Sequence, residues 1–515
     1  MMQFLLVLMC FFMQNYSYSC NNQCPKKCVC ENAKSMQCYR LHAVPPGIAR
    51  DIKQLNLGYN HIKELKISDF TGLTGLEEII LSSCGVESIE FNTFQIHSHL
   101  KSLDLPKNKL KHVPHGLPHS LEILKLGNNR IQNLQESAFD GLKNLHVLDL
   151  QNNLLSTIHA NTLSSLVKLE SLYLDGNHIA SILGSPNLPQ LRQFSIRNNR
   201  ITSLPSRFFT SLQSLKTLSL SDNHLVKVPQ DLPRSLWSLN LDKNQIRALR
   251  SREMSHLNHL SVLSVSHNKL VSIDGSLCLP NLTILELSGN HIRVLPSRLT
   301  LKLEKLDFRQ NMIKEVTQQH LAGMKLLKHL FLENNNIQHI EAGALRNCLH
   351  LTNLALEQNS LPAIPDGLPE TLVRLDLKGN HIKVVGEQEL KNLRRLQVLN
   401  LRNNKLSTLS LLALEMLPRL RKVYLDGNPW NCSCELLRVK RRLLARHVEV
   451  RSDLCLDLLH PQGENWRAHL RAQDKCEEYI RETIQDSQVR ISPSIDRTGQ
   501  MEPADFEEYY DYDTE

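Results

Sequence analysis

The sequence predicts an α/β-type leucine-rich repeat solenoid, and three observations carry that prediction. The frame L-x-x-L-x-L-x-x-N, stated by Leu145 to Asn153 and allowing Cys at its last position, recurs from Ile52 to Asn428, and this frame is the signature of a leucine-rich coil. Its last position falls at Asn60, Cys84, Asn108, Asn129, Asn153, Asn177, Asn199, Asn223, Asn244, Asn268, Asn290, Asn311, Asn335, Asn359, Asn380, Asn404 and Asn428, which makes seventeen coils. Cysteine clusters bracket the repeats on both sides, at Cys24 to Cys38 and Cys432 to Cys476.

Each position of the frame has a physical task. The L-x-L centre alternates with the period of a strand, so Leu148 and Leu150 are expected inside while Asp149 and Gln151 point out. One such strand cannot bury its apolar side alone, and stacking on neighbouring coils supplies the core. The Asn turns the chain out of the strand, and its amide is placed to bond backbone groups of adjacent coils. Left unpaired, each would cost roughly 1–3 kcal/mol. Strands about 4.8 Å apart give a curved parallel sheet on the order of 75 Å long, lining a concave face.

Before the repeats, Phe4 to Met13 is apolar and Ser17-Tyr18-Ser19 offers the small residues that signal peptidase reads, so residues 1–19 are expected to be a signal peptide. Residues 20–51 then form a cysteine-rich front cap, 52–428 the repeats, 429–476 a back cap and 477–515 a disordered tail. Cys38 to Pro45 resembles a repeat and is expected to supply the first strand. No later run of about 18 apolar residues is present to cross a membrane. Secretion into an oxidising compartment follows, in which disulfides are the expected use of the two clusters and zinc the alternative. Cys84 and Cys348 read as buried packing residues, whereas Cys20 and Cys278 have no evident partner.

Spacings between successive Asn/Cys positions follow a rhythm of two long coils and one short, disturbed at the centre. The short coils share V-P-H-G-L-P-H-S-L from Val113, V-P-Q-D-L-P-R-S-L from Val228 and I-P-D-G-L-P-E-T-L from Ile364. Two prolines this close favour an extended return without a helix. Longer coils carry segments such as S-A-F-D-G-L-K-N-L from Ser137, suited to a short helical or 3-10 turn with Phe and Leu inward.

The apolar leader, the C-x3-C-x-C-x7-C front cap and the long-long-short rhythm together resemble the small leucine-rich repeat proteins of the extracellular matrix. That resemblance implies pairing of Cys24 with Cys30 and of Cys28 with Cys38, and antagonism of transforming growth factor beta signalling. One departure is the back cap. Asn428-Pro429-Trp430-Asn431-Cys432-Ser433-Cys434, with Cys455 and Cys476, resembles the four-cysteine cap of leucine-rich receptors instead. There the resemblance implies Cys432 with Cys455 and Cys434 with Cys476, and it weakens any transfer of decorin-like dimerisation.

Candidate chemistry starts on the concave face. Its two central outward positions hold ten acids, Asp104, Asp149, Asp175, Asp242, Glu286, Asp307, Glu333, Glu357, Asp376 and Asp426, against five cations, Lys125, Arg197, Arg309, Lys378 and Arg402. The chain as a whole carries +8, so a basic body is expected to hide an acid-leaning inner surface. This is either an ordinary solvated strand face or a dock for a basic protein, with Ile80, Tyr173, Phe331 and Tyr424 as exposed anchors. Catalysis is not expected, because side chains on an open sheet should stay hydrated with ordinary pKa values. No compact oxygen-ligand loop for calcium is visible, and neither a metal nor another cofactor is expected.

Five histidines follow the ladder Asn directly, His61, His178, His224, His291 and His381, on coils too far apart to share one ion. In the back cap Arg438, Lys440, Arg441, Arg442 and Arg446 are either the wet face of a helix, with Leu437, Val439 and Leu444 inward, or a patch for sulfated glycans or the acidic tail. Tail residues Tyr509, Tyr510 and Tyr512 stand among acids and are candidates for sulfation. Acceptor sequons for N-glycosylation lie at Asn281 and Asn431. The function expected is that of a secreted matrix glycoprotein binding a growth factor, with a collagen organiser or a soluble receptor-like module as alternatives. No nucleic-acid partner and no membrane anchor are expected.

Overall fold

A computed structural model describes residues 24–32, 34–297, 300–431 and 434–451. The expected signal segment, Cys20, Cys432, Cys455, Cys476 and the tail with Tyr509, Tyr510 and Tyr512 lie outside the described residues, as do the side chains of Cys434 and Arg441. Among the described residues twenty strands form one sheet. Cys28–Asn32 pairs antiparallel with Ser35–Cys38, which pairs parallel with Gln54–Asn56. From there each coil adds one parallel strand, ending with Glu449–Arg451. The first parallel strand is therefore Ser35–Cys38, and the stretch from Cys38 to Pro45 expected to form it mostly follows it.

Register is kept by the leucines. Leu124, Leu148 and Leu172 are Cα partners on successive strands, and all three side chains are buried. Each fully buried leucine contributes about 2 kcal/mol relative to exposure, so a slip by one residue would bring the polar row inward and expel the apolar one.

The Asn ladder stitches coil to coil. Asn153 donates through Nδ2 to Leu150 O and, in the preceding coil, to Leu126 O, both at 3.0 Å, while its Oδ1 accepts from Ile131 N at 3.0 Å. Cys84 occupies the same place with a thiol that donates to Leu57 O at 2.9 Å. One element of this turn is absent from the L-x-L frame: the residue before every ladder position has positive φ. Only at Gly176, Gly289, Gly379 and Gly427 is it a glycine, and elsewhere Lys, Asn, Asp, Gln, His, Tyr or Ser takes the left-handed conformation.

On the other side of the coils, the three proline-containing short segments have no helix. Long coils carry single helical turns such as Ile67–Phe70, Ser251–Met254 and Gln318–Leu321 and the 3-10 turn Ala160–Leu163. The Ser137 segment forms only successive hydrogen-bonded turns, with Phe139 and Leu142 buried. Among the described residues no helix is long and apolar enough to cross a membrane.

Disulfides join Cys24 to Cys30 and Cys28 to Cys38. Cys348 is buried, with its thiol pushed up to about 11 by desolvation, and Cys278 is exposed. At the other end the helix Cys434–Ala445 closes the last coil. Among its described side chains Leu436, Val439 and Leu443 are buried, whereas Leu444, expected inward, is exposed because it falls on the wet side of the helical period, and the side chain of Leu437, also expected inward, lies outside the described residues.

Candidate ligand-binding face

Register brings the outward residues into two rows. The central position runs through Asp307, Phe331, Ala355, Asp376, Asn400 and Tyr424 on successive strands. Two residues further along stand Arg309, Glu333, Glu357, Lys378, Arg402 and Asp426.

The acids of these rows are neither uniformly exposed nor free, which corrects the expectation of a hydrated acidic face. Asp307, Glu333 and Asp376 keep only 2%, 6% and 4% of their surface. Much of the acid excess has a backbone cause. Asp149, Asp307 and Asp376 each accept through Oδ1 from the N–H two residues on, at 2.9, 3.0 and 3.1 Å, ending the strand in an Asx turn. Asn56, Asn240 and Asn400 make the same bond, so the position selects the Asx shape and not the charge. In the second row, Asp175 and Asp242 bond the next coil instead, through Arg197 N and Ser266 N, both at 2.6 Å.

Ion pairs absorb more of the charge. Lys125 reaches Asp104 at 2.9 Å, Lys305 reaches Glu286 at 2.9 Å, and Arg402 reaches Asp426 at 3.0 Å. Arg309 grips Asp307 through Nε at 3.0 Å and Nη2 at 2.6 Å.

Nor are the pKa values ordinary. Burial, reinforced by the neighbouring Glu357, pushes the Glu333 carboxyl up to about 9. Burial together with Asp376 pushes Glu357 up to about 7, and burial also raises Asp149 and Asp242. Packing between close-set strands strips water from these groups even though the sheet is open on one side. A neutral Glu333 and a titrating Glu357 make the face less acidic at neutral pH than its composition.

The four anchors are half-buried rather than fully exposed. Phe331 stacks on His329 with centroids 6.3 Å apart, and the Arg309 guanidinium carbon lies 5.4 Å from its centre. Ile80 shares its row with Asp104, and Tyr173 stands between Asp149 and Ser195. The five ladder-following histidines are exposed. Among the described residues no group of His, Cys, Asp or Glu is arranged to hold a metal ion.

The back-cap cations are divided. Arg446 donates to Leu414 O and Leu417 O at 3.1 and 2.5 Å, and Arg442 pairs with Glu415 at 3.2 Å. Arg438 is exposed and Lys440 half-buried. Asn281 is half-buried, its Nδ2 donating to Asn258 O at 2.7 Å, and Asn431 is exposed. Sequence reasoning passed over Asn353 and Ala355, which flank the acid cluster. Their signal was legible, since Ala355 is the one alanine in the central outward row of the seventeen coils.

A family model described as "Leucine rich repeat" matches residues 119–179, 189–233, 234–292, 302–361 and 370–429. A second, "BspA type Leucine rich repeat region (6 copies)", matches 49–117. Nephrocan of Mus musculus is 53% identical over 460 residues, covering 89% of this chain and 90% of its own length. The chain belongs to the nephrocan-like small leucine-rich repeat proteins. Podocan-like protein 1 of Homo sapiens is 29% identical over 79% of this nephrocan-like chain and 73% of its own. Among solved structures, the octameric complex of Latrophilin 3, Unc5D and the leucine-rich repeat part of FLRT2 matches at TM-score 0.52 and 27% identity, covering 57% of this chain and 91% of that one.

Proposed function

We propose that this chain is a secreted matrix glycoprotein that binds protein ligands along its sheet face and antagonises transforming growth factor beta signalling, with no catalysis of its own. The observation that carries the reading is the long parallel sheet whose outward rows mix half-buried aromatics, Tyr173, Phe331 and Tyr424, with a polar surround of Asx turns and ion pairs. Such a surface presents apolar area without exposing a continuous greasy patch, which suits reversible protein binding. Membership of the nephrocan-like group supports the matrix setting and a non-enzymatic scaffold, and the growth-factor clause rests on what that group resembles. Two sizeable depressions lie elsewhere. One of about 490 Å³ is lined by Gln213, Asp231, Arg252 and His256, away from the outward rows.

The test is capture of the secreted chain on immobilised transforming growth factor beta and on fibrillar collagen, comparing wild type with a Tyr173→Ala/Phe331→Ala variant. Growth-factor capture that drops in the variant supports the reading. Undiminished capture removes the anchor residues from it, and collagen binding without growth-factor binding replaces it with a structural role.

A further inference from the structure

The flank just past the Asn ladder is built as regularly as the sheet. In the coils of Asn199, Asn223, Asn244, Asn268, Asn290 and Asn311, the residue after the Asn and the one two further on face out while the residue between them is buried. Two outward rows result. Backbone bonds hold them in step: His224, Gln245, Lys269, His291 and Met312 each donate N–H to the buried residue of the preceding coil, Ile201, Leu225, Ile246, Leu270 and Ile292, at 2.8 or 2.9 Å. Five such steps of about 4.8 Å carry the rows about 24 Å.

These rows hold Arg200, Arg247, Lys269, Arg293 and Lys314 and no acid. Exposed Lys227 and Lys243 border them, against the two bordering acids Asp222 and Glu315. The coils on either side carry no Lys or Arg in the same rows, with His178 and Ala180 before and Asn336 and Gln338 after, so the strip has definite ends. Nearer the front of the chain the same rows cancel their charge, Lys109 lying 2.8 Å from Glu87 one coil away. In the strip the equivalent places set Lys269 beside Arg247, and none of the five cations has an ion pair among the described residues. Folding gains nothing from that juxtaposition, because like charges side by side destabilise. A polyanion lying across the coils would. A small anion reaches only one or two coils, and an acidic peptide draws its affinity from buried aromatic anchors, whereas no Phe, Tyr or Trp stands in these rows. We propose that the strip binds a sulfated glycosaminoglycan laid along the coils, its sulfates meeting the five cations. Charge-assisted N–H···O bonds to sulfate need no apolar pocket. The strip lies past the ladder, on a different surface from the outward rows of the sheet, and does not rest on the protein-binding reading of that face.

The experiment is biolayer interferometry of the full secreted chain on immobilised heparin, with fully desulfated heparin as control, at about 0.15 M salt, where long-range attraction is screened. Wild type binds heparin and not the desulfated chain. An Arg247→Gln/Lys269→Gln/Arg293→Gln variant weakens that binding about tenfold or more and makes it less dependent on salt. Lys63→Gln/Lys111→Gln/Lys383→Gln removes the same charge from exposed places in the second row on distant coils and leaves binding within about twofold. All six side chains are exposed, so equal thermal midpoints for the three proteins confirm that folding is kept. Equal losses in the two variants reduce the effect to net charge and overturn the strip, as do undiminished binding by the first variant and equal capture on desulfated heparin. Residues 502–515 carry seven acids and no Lys or Arg. A peptide of that sequence that binds wild type in place of heparin, and not the first variant, gives the strip to the chain's own acidic end and overturns the glycan.

Discussion

The guanidinium carbon of Arg402 stands 4.4 Å from the centre of the Tyr424 ring, and the same side chain donates through Nε to Asp426 at 3.0 Å. The tyrosine thus has one face covered by the protein's own cation before any ligand arrives. Phe331 repeats the arrangement with Arg309 at 5.4 Å and Lys305 at 5.8 Å. Replacing Arg402 with Met should therefore lower stability by about 1 kcal/mol, combining a partly exposed cation–π contact with an ion pair to Asp426. The urea midpoint of the variant checks this, and an unchanged midpoint would mean the stack is incidental.

Glu333 gives a prediction whose sign follows from linkage. Its folded pKa lies near 9 against an ordinary 4.5, because burial and Glu357 disfavour its charge while Arg309 only partly compensates. Between those two values the folded chain holds a proton that the unfolded chain has released. Stability from this site is fully present below about pH 4.5 and is lost as pH rises toward 9. Glu333→Gln should then be near neutral at pH 4.5 and stabilising by about 2 kcal/mol or more at pH 8. Urea midpoints at both pH values decide it, and a stabilisation that does not grow with pH would contradict the buried neutral carboxyl.

His97 works in the opposite sense. Its ring is fully buried where other coils place leucine, with Nδ1 3.3 Å from Phe94 O and Nε2 3.3 Å from Phe70 O, and desolvation lowers its pKa below the ordinary 6.5. A folded chain that resists protonation loses stability as pH falls below about 6.5, where the unfolded imidazole takes up its proton. Phe94 O and Phe70 O also accept from His97 N and Leu73 N at 3.1 Å, so neither carbonyl is orphaned when the imidazole is removed. His97→Leu should thus differ little at pH 7.5 and be the more stable protein at pH 5, by thermal midpoint.

These groups mark the boundary of what the sequence discloses. Leucine spacing, strand alternation and the Asn ladder are periodic, and periodicity survives translation into structure because each coil repeats the same contacts. Whether Asp307 is a docking acid or a strand-ending Asx group depends on one backbone N–H two residues on, and Asp and Asn serve that bond equally. Glu333 looked hydrated because an open sheet was pictured as flat and wet. Neighbours less than one side chain away on close-set strands bury it instead. The left-handed residue before each ladder position was hidden for a related reason, since Lys107, Asn152 and Gln310 share a conformation and no side-chain chemistry.

The back cap yields the last prediction. After the turn Leu411–Glu415, Leu414 O accepts from Leu417 N at 3.1 Å and Leu417 O from Leu420 N at 3.3 Å, and Arg446 reaches across from beyond the closing helix to give each a second, charged donor. A cation at the C-terminal end of a helical turn meets the negative end of its peptide dipoles as well as carbonyls with a second lone pair to spare. Arg446 is thereby committed to joining cap to coil, whereas exposed Arg438 and half-buried Lys440 carry no such bond to the preceding turn among the described residues. Removing Arg446 as alanine should cost roughly 1–3 kcal/mol of stability while leaving elution from a heparin column nearly unchanged. An Arg438→Ala/Lys440→Ala variant should elute earlier at unchanged stability. If the two variants exchange behaviours, the assignment of these cations to structure and surface is reversed, because a side chain that bonds buried carbonyls cannot also be the one a sulfated chain holds.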